Sequence, residues 1–76
     1  MNINIGQSIK NAVAQKKSQG VIIKNVEIAK RLGMNKQNFN YLKNSEDTTV
    51  SRAIELTKIF DMEFHEFIEL GNHNVD

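Results

Sequence analysis

The chain contains no cysteine, so neither a disulfide framework nor a thiolate zinc site can hold it together. It also lacks proline, and its longest apolar runs, Ala12 to Ala14 and Val21 to Ile23, fall far short of the about 20 residues that span a bilayer. The start, Met1-Asn2-Ile3-Asn4-Ile5, has neither the basic opening nor the continuous apolar stretch of a secretory signal. These absences predict a soluble, cytoplasmic chain that is neither exported nor processed. Catalytic machinery is equally sparse. There is no glycine-rich phosphate loop, the serines have no activating context, and His65 beside Glu66 lacks the second histidine of a zinc-protease helix. Glu63, Glu66 and Glu69 recur every three residues, which reads as a solvated helix face rather than a metal ridge. No enzyme, metal site or cofactor is expected.

What remains is one small domain. A chain of 76 residues buries only about 60 % of its unfolded surface, so helix packing, self-association or both must stabilise it. The charge is divided along the chain. Residues 1–43 carry eight bases (Lys10, Lys16, Lys17, Lys24, Lys30, Arg31, Lys36 and Lys43) against Glu27 alone, a net +7. Residues 44–76 carry eight acids against Arg52 and Lys58, a net −6. A polar molecule of this kind offers polyanions a basic face while its acidic part turns away, which points to nucleic acid.

Hydrophobic spacing divides the chain into five helices. Ile5, Ile9, Ala12 and Val13 predict a first helix over 5–18, with Asn4 and Gln7 placed as a capping box and Gly20 as a left-handed stop. Val21 to Ile23 reads as an apolar linker tucked under the core. A second helix is predicted over 26–32, capped by Asn25, with Val26, Ile28, Ala29 and Leu32 as its apolar set. Gly33-Met34-Asn35 then makes a tight turn, in which glycine accepts positive φ, Met34 folds back and Asn35 caps the next helix. The third helix, over 36–43, has only Phe39 and Leu42 as large apolar residues. A fourth, over 50–60, is capped by Thr48 or Thr49 and is expected to bury Val50, Ala53, Ile54, Leu56, Ile59 and Phe60. Phe64, Phe67 and Ile68 lie on a fifth, which Gly71 ends. The domain is thus expected over 1–71, with 72–76, including His73, as a flexible tail.

The stretch Asn25-Val-Glu-Ile-Ala-Lys-Arg-Leu-Gly-Met-Asn-Lys-Gln-Asn-Phe-Asn-Tyr-Leu-Lys-Asn44 resembles the helix-turn-helix of the phage lambda repressor and Cro family. Ala29 stands at the family's small residue, Gly33 at its turn glycine, and Ile28, Leu32, Met34, Phe39 and Leu42 at its core positions. Lys24 and Asn25 depart from the threonine and glutamine usual there, and Asp61 stands where glycine is frequent. The resemblance implies an all-α, five-helix lambda-repressor-like domain that binds operator DNA as a homodimer and regulates transcription, probing the major groove with helix 3. With Phe39 and Leu42 inward, a step of about 100° per residue turns Gln37, Asn40, Tyr41 and Asn44 outward, with Lys36 on the flank. Amides pair with adenine and lysine with guanine, so Lys36, Gln37, Asn40 and Tyr41 are the candidate base readers. Lys24, Asn25, Asn35, Lys43 and Asn44, at helix ends or beside them, are the candidate phosphate contacts. Phe64, Phe67 and Ile68 are the candidate dimer interface.

RNA is disfavoured, because the chain has neither an aromatic platform nor a loop clamp. The open alternative is a protein-interaction module of the same fold, such as an antitoxin or anti-repressor. No small-molecule effector and no membrane partner are expected.

Overall fold

Local capping decides most of the helix boundaries. The computed structural model describes residues 4–72, so the readings placed on Met1 to Ile3, on His73 and on the tail beyond Asn72 lie outside the described residues. The elements are α1 (Ile5–Ser18), α2 (Asn25–Leu32), α3 (Lys36–Lys43), α4 (Val50–Phe60) and α5 (Phe64–Leu70), and the described residues form an all-α, five-helix domain. Asn4 Oδ1 accepts the Gln7 amide at 3.0 Å, as a cap should. The Gln7 side chain does not return to Asn4 but donates to Asn11 Oδ1 at 2.9 Å, so only half of the expected capping box forms. Thr49, and not Thr48, caps α4 by accepting the Arg52 amide at 3.2 Å. Asp61 closes α4 at φ 53°, in the left-handed region that aspartate enters more readily than most residues.

At α2 the structure corrects the expected cap. Lys24 is the N-cap residue and makes no side-chain cap bond, while Asn25 is the first residue of the helix itself. A lysine ammonium has no acceptor, so it cannot satisfy a helical amide.

The core gathers one stripe from every helix: Ile5, Ile9 and Ala12, then Ile28, Ala29 and Leu32, Phe39 and Leu42, Ala53, Leu56 and Phe60, and Phe67 with Ile68. Phe60 and Phe67 stack with ring centroids 5.8 Å apart, joining α4 to α5. Several expected core residues are instead exposed: Val26 on α2, Val50 and Ile54 on α4, and Val21 and Ile22 in the linker, of which only Ile23 packs against the core. Phase accounts for Val26 and Ile54, whereas Val50, the first residue of α4, lies nearer the buried arc and is exposed at the helix's start. Val26 and Ile54 each stand about 110° around the helix from the centre of the buried arc, beyond what one packing neighbour covers.

α1 holds the assembly together. The Ile5 and Gly6 amides donate to the Glu46 and Ser45 carbonyls at 3.0 and 2.9 Å, using unsatisfied donors of the helix start to grip the loop after α3. At its other side, Asn11 Nδ2 donates to the Leu70 carbonyl at 2.6 Å, fastening the end of α5. α5 packs on α1 and α4, and its backbone approaches neither α2 nor α3. Its two glutamates, Glu66 and Glu69, and Glu63 at its N-cap therefore sit away from the α2–α3 pair.

Gly33 closes α2 at φ 70°, with open space where a Cβ would stand. The cost of Gly33→Ala is therefore one of backbone conformation alone. We expect a loss of about 1 kcal/mol and a melting midpoint lower by roughly 5 °C, read by thermal denaturation.

Candidate nucleic-acid interface

The turn between α2 and α3 is closed by hydrogen bonds from Gly33 N to the Lys30 carbonyl (3.1 Å) and from Met34 N to the Ala29 carbonyl (2.9 Å). Met34, half-buried against the core, also receives the Arg52 guanidinium on its sulfur, which ties the turn to α4. Asn35 then caps α3, its Oδ1 accepting the Asn38 amide at 2.8 Å. With Phe39 and Leu42 buried beneath, α3 cannot roll without unpacking both.

Its outer face divides into a ridge and two flanks. Gln37 is exposed on the ridge. On the α2 side, Lys36 and Asn40 line a groove of about 610 Å³ together with Asn25, Val26 and Lys30. On the α4 side, Tyr41, 78 % exposed, lines a second groove with Asn38, Thr49 and Arg52. All four candidate base readers thus stand in solvent on one short helix, across three adjoining strips of its surface.

The candidate phosphate contacts are placed less uniformly. Lys24 and Asn25 are exposed at the start of α2. Asn35 uses its side-chain oxygen as a cap, and Asn44 Nδ2 donates to the Asn40 carbonyl at 2.9 Å. Lys43 is half-buried, with its ammonium 5.9 Å from the centre of the Phe39 ring, so it flanks the face rather than projecting from it.

The two flanks of α3 differ in charge. Lys30 and Lys36 rim the groove on the α2 side, whereas the α4 side carries both Arg52 and Asp47, and Glu46 and Asp47 line a recess with Tyr41 and Asn44 beyond the helix's end. A polyanion is therefore drawn toward the α2 flank and turned away from the loop. Sequence reading missed this asymmetry, since it counted the loop acids with the distant acidic half. Arg52 and Val26 were also missed, the first because it lies on another helix and the second because its apolarity marked it for the core.

The expected dimer surface is corrected in two of its three residues. Phe67 and Ile68 are in the chain's own core, the first stacked on Phe60, because α5 must cover the end of the α1–α4 packing. Phe64 alone stays at the surface, 42 % exposed. His65 is also exposed, and among the described residues no group of three or more histidine, cysteine, aspartate or glutamate side chains converges on a metal position. Among the described residues no helix is long and apolar enough to cross a membrane.

No protein-family model, no curated protein and no solved structure matches the chain.

Proposed function

We propose that this protein binds double-stranded DNA sequence-specifically, with α3 in the major groove, and regulates transcription in the manner of a Cro-type repressor. The observation that carries the reading is the outward face of α3: Lys36, Gln37, Asn40 and Tyr41 exposed together on a helix locked from beneath by Phe39 and Leu42. A major groove about 12 Å wide admits one helix, and amide and ammonium groups match the acceptors and donors on its base edges. Lysines at the α2 flank supply the attraction to phosphate, and the remote acidic α5 orients the encounter.

Lys24 and Asn25, free at the start of α2, are the foremost phosphate contacts, and Lys43 adds charge from the side. Asn35 and Asn44 act mainly by fixing the helix ends from which neighbouring groups reach the backbone. A single two-turn reading helix offers little affinity, so the proposal includes a homodimer that reads half-sites about 34 Å apart. Phe64 is the residue of α5 available for that contact.

Selection of bound sequences from a random duplex library tests the reading. We expect a palindromic winner that keeps its advantage over a scrambled duplex as salt rises, because base contacts outlast counterion release. If no sequence is enriched and salt abolishes all binding, the function passes to the protein-interaction module.

A further inference from the structure

We infer that Val26 and the groove it shares with α3 form a seat for thymine 5-methyl groups, which makes the start of α2 a determinant of sequence specificity beside α3 itself. The inference rests on the duplex-binding reading above and deepens it. Val26 is a β-branched apolar side chain left 74 % exposed on a small domain that buries its other α2 anchors, Ile28, Ala29 and Leu32. It does not stand alone on the surface. Together with Ala29 and Phe39 it lines a largely apolar groove of about 610 Å³, whose rim carries Lys30, Lys36 and Asn40.

The rim says what chemistry the groove accepts. Two ammonium groups beside an amide favour a polyanion that also offers hydrogen-bonding edges, and a duplex presents one apolar feature in its major groove, the thymine methyl. Asn40 and Val26 open on the same groove, so one A·T pair can satisfy both: the amide takes the adenine edge while the valine covers the methyl of its partner. A neighbouring A·T pair can use the remaining volume, since a single methyl fills only a small part of it. The recess beyond the end of α3 is rimmed by Glu46 and Asp47 instead of lysines and has no aliphatic side chain in its lining, so methyl recognition is assigned to the α2 side.

The test uses the winning duplex from selection, with each thymine replaced singly by deoxyuridine, which removes the methyl and nothing else. Binding is measured for the wild-type chain and for Val26→Ala, whose melting midpoint is expected to match wild type because the side chain is exposed. At one or two thymines in each half-site, loss of the methyl should weaken the wild-type chain about fourfold, while Val26→Ala should respond by less than about 1.5-fold at the same positions. Wild-type binding that ignores every methyl, or a Val26→Ala chain as sensitive as wild type, overturns the inference while leaving duplex recognition by α3 in place. Failure to enrich any duplex overturns the underlying reading, and the inference with it.

Discussion

Gly6→Ala is expected to cost the domain about 3 kcal/mol and to lower its melting midpoint by roughly 15 °C, although it adds only one methyl group. Gly6 lies inside α1, where alanine is normally the better helix former by about 1 kcal/mol. Here a Cβ would run into the Lys43 carbonyl, which is backbone and cannot swing aside. Relief requires α1 to lift from the end of α3, breaking the grip of the Ile5 and Gly6 amides on the loop carbonyls. A domain of this size has a total stability of about 4 to 11 kcal/mol, so much of it depends on this contact. The comparison with Gly33→Ala isolates the cause, since the same chemical change at an open position should cost about a third as much. A Gly6→Ala chain that melts with the wild type would show that α1 does not approach α3 this closely.

Gln37→Ala is expected to reduce affinity for the selected duplex by roughly 10- to 100-fold, with binding to a scrambled duplex unchanged. Gln37 stands on the ridge of α3 between the two grooves, so its amide is the group most directly opposed to base edges. Repeating the selection with the variant should relax the preference at one position in each half-site. Lys43→Ala provides the contrast, weakening selected and scrambled duplexes alike and reducing the salt slope by about one. Because Lys43 also lies over Phe39, Lys24→Ala at the exposed start of α2 gives the same comparison without disturbing a core ring. Equal, sequence-independent losses from Gln37→Ala and the lysine variants would remove α3 as the reading element.

Boundaries were legible wherever a side chain does the capping. Asn4, Asn35 and Thr49 each accept an amide three residues on, a local interaction between residues close in the chain. The start of α2 was not, because Lys24 precedes the helix without any capping group. Val26, Val50 and Ile54 show what periodicity leaves open: it identifies an apolar side of a helix, but the width of the covered arc depends on which neighbours arrive. The requirement for glycine at position 6 was not legible, since it comes from Lys43, distant in the chain. The outward face of α3 was legible for the opposite reason. Two large apolar residues three apart, Phe39 and Leu42, set the phase of an otherwise polar helix, and every remaining side chain follows from that phase. The difference between its flanks was not, because Val26, Lys30, Glu46 and Asp47 reach those flanks from other segments.

The most direct test is to follow the backbone amide resonances of the isotopically labelled chain during titration with the selected duplex and with its scrambled counterpart. The expected result is a set of large, saturable shifts across Lys36 to Asn44 and at Lys24 to Val26 with the selected duplex, smaller salt-sensitive shifts with the scrambled one, and little change at the acidic face of α5. Shifts centred on Phe64 to Leu70 with α3 unmoved, or identical responses to the two duplexes, would contradict sequence recognition by α3.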